Sequence, residues 1–261
     1  MKKVLAILLT LMMVFALAAC GSGSSDSGFA GSLLTKDKII IATSPDYPPF
    51  EYLDADGSLK GFEIEMIDQL VDVINEQNKT DLDIEFKQMD FSTIISAVQA
   101  GQVDIGMSAF SYTEERAEMV NFCTSHLTTK QMVITRDDTG IASADDFQAG
   151  MKVGAPTGTT AYTIVSEWFP DLEVVNPGDY TVIFQNLLAG NLDLVVADYA
   201  VGINYVNEHD NLVMCEEPLL EETLCLINNK EKPVVTETVN KALEAYLASD
   251  EYKALCEAYG M

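Results

Sequence analysis

Two stretches of this chain, 89 positions apart, follow one plan. Ala97-Val-Gln-Ala-Gly-Gln-Val-Asp-Ile-Gly-Met-Ser-Ala109 and Asn186-Leu-Leu-Ala-Gly-Asn-Leu-Asp-Leu-Val-Val-Ala-Asp198 each read as a helix end, an Ala-Gly stop, an apolar–Asp step and an apolar run. A second echo pairs Lys38–Thr43 and its Pro-containing loop with Lys152-Val-Gly-Ala-Pro156 and Thr157-Gly-Thr-Thr160. Helix stops placed just before apolar strands are the punctuation of βα units around a mostly parallel sheet. All α/β units share such punctuation, but its recurrence with a second echo favours two lobes, each with its own sheet. In open α/β sheets, ligands bind beyond the carboxyl ends of the strands. Two facing sheets therefore make a cleft.

The chain has 261 residues, 48% hydrophobic and 21% charged, with a net charge of −26. It is too apolar for a disordered acidic tail, and long enough for one large or two small cores. The charge argues against nucleic acid and against docking on anionic lipid by electrostatics. With two His and scattered Cys, a metal cage would have to be mostly carboxylate, and neither metal nor cofactor is expected.

Lys2 and Lys3 precede an apolar run, Val4 to Ala19, that ends Leu17-Ala-Ala-Cys20. This is an n-region and an h-region, and Leu-Ala-Ala-Cys resembles the lipobox of bacterial lipoproteins. An ordinary cleavable signal and a bare transmembrane anchor are the alternatives. The reading is a signal peptide over 1–19, lipidation at Cys20, and a flexible linker over 20–35 containing Gly21-Ser-Gly-Ser-Ser-Asp-Ser-Gly28. Without Lys2 and Lys3 the charge is −28. The expected location is the cell membrane, lipid-anchored on the extracytoplasmic face. Of the remaining cysteines, Cys215 and Cys225 flank a turn region and could pair; four buried thiols is the simpler expectation.

Along the body, Lys38–Thr43 reads as a buried strand, a helix starts at Gly61, and Asp81–Phe86 alternates as a strand. Ser92 can cap a helix that Gly101 stops, and Thr113 can cap one with Glu114 and Glu115 in its first turn. The strand ends carry the candidate chemistry. Tyr47 and Phe50 stand around Pro48 and Pro49, and Phe91 precedes Ser92; these rings could wall a cleft or fill a core, and for Phe50 the core is the expectation. Arg116, one of two arginines in the chain, could grip a carboxylate or pair with Glu115 or Glu118. Thr157-Gly-Thr-Thr160 could hold an anion or simply cap a helix. Asp198 ends an apolar strand, and could cap the next helix or meet a ligand ammonium. Arg116 with the Thr160 helix end, Asp198, and aromatics fit a free α-amino acid.

Tyr47-Pro-Pro-Phe50, Gly61-Phe-Glu-Ile-Glu65, Ala100-Gly-Gln-Val-Asp104, Thr113-Glu-Glu-Arg116, Thr157-Gly-Thr-Thr160, Asp198 and Ser249-Asp-Glu-Tyr252 occur in one order. In that order the chain resembles the polar amino-acid solute-binding proteins of bacterial ABC importers (family 3), over about 37–260. The resemblance implies a two-lobed, periplasmic-binding-protein-like fold with the ligand cleft at the hinge. Lobe 1 would be 36–125 and 221–261, and lobe 2 126–220. Arg116 would clamp the α-carboxylate with the Thr160 backbone and hydroxyl. Asp198, the Ala109 carbonyl and the Ser111 hydroxyl would take the ammonium, and Tyr47 and Phe91 would sandwich the side chain. Ser44 stands where many relatives, including cationic amino-acid binders, have Asp, with Asp46 two residues on. The implied role is capture of an amino acid and delivery to a permease by a monomer, without catalysis. The alternatives are a cyclohexadienyl dehydratase-like enzyme using Asp46, Glu65 or Glu173, and a ligand sensor.

Overall fold

The computed structural model describes residues 32–176 and 178–261. The expected signal peptide, Cys20 and most of the linker lie outside them. Residues 32–35, expected within the linker, instead begin the folded body. Leu33–Thr35 form a 3-10 turn capped by Ser32, and Leu33 is fully buried. An apolar Leu-Leu pair gains more from the core than from solvent.

The first sheet has the order β5-β1-β6-β14-β7, from β1 (Lys38–Thr43), β5 (Asp83–Gln88), β6 (Ile105–Gly106), β7 (Val120–Phe122) and β14 (Ile227–Asn229). β1 runs parallel to β5 and β6; β14 is antiparallel to β6 and β7. A small antiparallel sheet of β2 (Asp46–Tyr47), β3 (Glu51–Leu53) and β4 (Leu59–Lys60) joins β1 to helix α1 (Phe62–Asn78). Helices α2 (Phe91–Gln99), α3 (Glu114–Met119), α7 (Pro233–Tyr246) and α8 (Asp250–Tyr259) complete this half.

The second sheet has the order β10-β9-β11-β8-β12, with β13 also paired to β8. Its strands are β8 (Leu127–Arg136), β9 (Lys152–Gly154), β10 (Glu173–Val175), β11 (Leu194–Asp198), β12 (Leu212–Met214) and β13 (Leu220–Leu224). Its helices are α4 (Thr160–Trp168), α5 (Tyr180–Leu188) and α6 (Tyr199–Glu208). The expected lobe boundary at 220/221 falls at the start of β13, all of whose residues pair with β8.

The internal echo has a structural cause. α2 and α5 both end at an Ala C-cap followed by a glycine with positive φ, Gly101 at 66° and Gly190 at 76°. The Asp of each apolar–Asp step then clasps the neighbouring strand. Asp104 accepts from Ile40 N at 3.1 Å and donates its own N–H to Ile40 O; Asp193 does the same with Lys152, its carboxylate at 2.7 Å.

The chain passes between sheets twice, from β7 to β8 and from β13 to β14. The crossings lie side by side: Cys123 N donates to Leu226 O at 2.9 Å, and His126 N to Leu224 O at 3.0 Å. Cys123, Cys215, Cys225 and Cys256 are free thiols. Ser92 does not cap α2: Asp90 holds the cap position and Ser92 lies in the first turn, because the helix begins at Phe91, two residues earlier than a Ser92 cap would place it.

Candidate functional site

A small cavity, with about 40 Å³ of enclosed free space, lies between the sheets near both crossings. Tyr47, Phe91, Ala109, Ser111, Arg116, Thr160 and Asp198 all line it. Ser44 does not. It faces an adjoining groove and donates its hydroxyl to Asp46 at 2.6 Å, and Asp46 itself reaches the cavity wall.

The floor on the first-lobe side is set by buried acids. Glu63, fully buried at the start of α1, accepts from Ala109 N at 2.8 Å and meets His126 Nε2 at 2.9 Å. It thereby holds Ala109 at a φ of 45°, a left-handed conformation that alanine seldom adopts. Glu51 accepts from Ser108 Oγ at 2.8 Å, and Ser108 accepts from Ser44 N. Burial, then the neighbouring Glu63, push the Glu51 carboxyl well above the usual range.

Arg116 is placed by its helix cap. Thr113 accepts from Arg116 N, so α3 starts where β6 and its loop end. The guanidinium lies 5.6 Å from the Phe91 ring and 5.5 Å from the Phe110 ring. It donates to Ser111 O at 2.7 Å and, across the cleft, to Gly158 O at 2.8 Å. Neither Glu115 nor Glu118 pairs with it in the described residues. Burial presses its pKa down, opposed by Glu222 and Asp198.

Opposite, Thr159 caps α4 by accepting from Tyr162 N, which puts Thr160 at the first helical position. Asp198 occupies the cap position of α6, yet its side chain makes no capping bond. Instead Tyr47 Oη, from the first lobe, donates to Asp198 Oδ2 at 2.5 Å and accepts from Asp198 N at 3.0 Å. Burial pushes the Asp198 pKa up to about 7; the bond from Tyr47 and nearby Thr129 and Gln131 oppose the shift. Its Oδ1 has no hydrogen-bond partner of normal geometry among the described residues. Tyr180 N, at the start of α5, donates to Asp46 Oδ2 at 3.1 Å, and the Tyr180 ring lies 4.6 Å from that of Tyr47. The cavity thus has a cationic end, an acidic end and aromatic walls.

Over residues 39–261 the chain matches the sequence profile of the bacterial extracellular solute-binding proteins, family 3. The chain belongs to that family. It is 30% identical over 259 residues to the arginine-binding extracellular protein ArtP of Bacillus subtilis, covering 98% of this chain and 96% of ArtP. It is 28% identical over 265 residues to a probable histidine-binding protein of Neisseria gonorrhoeae, covering 99% of this chain and 96% of that protein. Among solved structures, an ancestral arginine-binding protein bound to arginine superposes with a TM-score of 0.77 at 29% identity, covering 86% of this chain and 98% of that one. An ancestral amino-acid-binding protein described as a precursor of cyclohexadienyl dehydratase gives 0.78 at 25% identity, covering 86% and 96%.

In this family 3 chain, the sequence pattern missed Gln131, Tyr180 and Glu222. Gln131 comes beside Asp198 only through the antiparallel register of β8 and β11. Glu222 left a readable signal: in Leu220-Glu-Glu-Thr-Leu224, strand alternation sends it inward with Leu224. The carboxylates offered for catalysis divide. Glu65 is exposed and accepts from Tyr259, Glu173 is exposed on β10, and Asp46 alone of the three lines the cavity.

Proposed function

We propose that this solute-binding protein captures a free α-amino acid between its sheets and hands it to an ABC-transporter permease. The observation that carries the reading is the placement, in one cavity, of a buried guanidinium on one lobe and a buried, half-satisfied carboxylate on the other. A zwitterion completes both, and closure is driven by ligand contacts made to both lobes at once. Arginine, histidine, glutamine and glutamate are named for relatives of this chain. Asp46, set among Tyr47, Phe91 and Tyr180, favours a cationic side chain here. Cys20 would carry the lipid that keeps the protein on the extracytoplasmic face.

The enzyme reading is weaker. His126 is held by Glu63 away from the cavity, and Asp198 facing an ammonium suits retention better than elimination. The test is calorimetric titration of Arg116→Ala and Asp198→Ala. Each is expected to weaken amino-acid binding by about 3–5 kcal/mol, since each leaves one buried charge unpaired. Unchanged affinity in both would remove the site assignment.

A further inference from the structure

Glu222 does not line the cavity, yet three cavity residues point their donors at it. Its Oε2 accepts from Ser111 Oγ at 2.7 Å, Gln131 Nε2 at 2.9 Å and Thr160 Oγ1 at 3.0 Å. Those donors come from the first lobe, the hinge strand β8 and the start of α4. Glu222 is 8% exposed, Ser111 2%, Gln131 2% and Asp198 3%.

The consequence is a sorting of polarity. A carboxylate accepts only, so it fixes the Gln131 amide with its nitrogen toward Glu222 and its oxygen turned away. That oxygen, Gln131 Oε1, has no partner among the described residues, and nor has Asp198 Oδ1, its neighbour across the β8–β11 register. The hydrogen of Ser111 Oγ is likewise spent on Glu222, leaving that oxygen to accept. The Thr160 hydroxyl is spent too, so a ligand carboxylate meets the Thr160 backbone, not its side chain. Two orphaned acceptors, more than nine-tenths buried and lining one cavity, are costly unless a donor arrives.

We propose that Glu222 is the positioning residue of the ammonium site, and that it makes Gln131 Oε1 a direct ammonium acceptor beside Asp198 and Ser111. It takes the hydroxyl hydrogens of Ser111 and Thr160 and an N–H of Gln131, so the Ser111 and Gln131 oxygens are left to accept from the ligand. A ligand with an α-amino group fits; its des-amino counterpart leaves Gln131 Oε1 and Asp198 Oδ1 unpaired. This deepens the amino-acid reading and rests on it.

The test is isothermal titration of wild type, Glu222→Gln and Gln131→Met. The probes are L-arginine, L-histidine and L-glutamine, and the des-amino acid of whichever binds, measured by competition. Glutamine at 222 can donate, which frees the Gln131 amide to turn its own donors toward the ligand. The expected result is a loss for the amino acid on the order of tenfold to a hundredfold in both variants, with a much smaller change for the des-amino acid. Gln131→Met keeps the side-chain volume, and gives an independent reading if Glu222→Gln fails to fold. Amino-acid affinity within twofold of wild type, or an equal loss for both ligands, would overturn the proposal; the second result would reduce Glu222 to a fold-holding role. If wild type binds none of the three amino acids, the amino-acid reading fails first, and the wild-type titration alone reports it.

Discussion

Asp198 is a buried carboxylate that the proposed ligand ammonium would share with Tyr47. Its pKa of about 7, against an ordinary value of 3.8, means the folded protein holds a proton there that the unfolded chain releases. The sign follows. Between those two values the folded state binds more protons, so this group's contribution to stability declines as pH rises from 4 to 7. An ammonium ligand reverses the preference, because it needs the ionised form. Amino-acid affinity is therefore predicted to fall by about tenfold per pH unit below 7, with proton release on binding. Titration in buffers of different ionisation enthalpy reads that proton directly; no proton release at pH 6 would contradict the assignment. Asp46 sets a second residue-scale prediction. Asp46→Asn is expected to weaken L-arginine by about tenfold more than L-citrulline, as for loss of one charge pair. Equal effects on the two would argue against a cationic side chain.

At the scale of elements, the turn into α1 depends on a single missing side chain. A Cβ on Gly61 would stand 2.2 Å from Phe50 O, and the residue has a φ of 129°. Gly61→Ala is predicted to destabilise the protein by about 2–4 kcal/mol, read as the urea midpoint. It should also weaken ligand binding, because α1 carries Glu63 and Glu63 holds Ala109. An unchanged midpoint would show that the entry to α1 tolerates a different path. Elements of this kind were legible in the sequence. The Ala-Gly stops, the Thr113 and Thr159 caps and the strand ends depend on neighbours a few residues away. Gln131, Tyr180 and Glu222 do not: each reaches the cavity through long-range register or docking, and local pattern is silent about which strands lie side by side. Ser44 stands at the family position of a carboxylate, and the side chain that reaches the cavity is Asp46, two residues later at the start of β2.

Across the whole molecule, the two sheets meet through polar contacts that include the cavity-lining residues themselves. Tyr47 bonds Asp198, Arg116 bonds Gly158 O, and Asp46 bonds Tyr180 N. Under the proposed function, recognition and lobe approach would be one event, since an occupant of the cavity meets the same residues that join the lobes. The proposed occupant is a free amino acid. The most direct measurement is thermal unfolding of the protein, first unfolded and refolded to strip carried ligand, against the twenty amino acids and prephenate. A ligand at a hundred times its dissociation constant should add about 2.7 kcal/mol of stability. Such a shift is expected with at least one α-amino acid, largest among the cationic ones, and none with prephenate. No shift with any amino acid, or a shift with prephenate alone, would contradict the amino-acid reading.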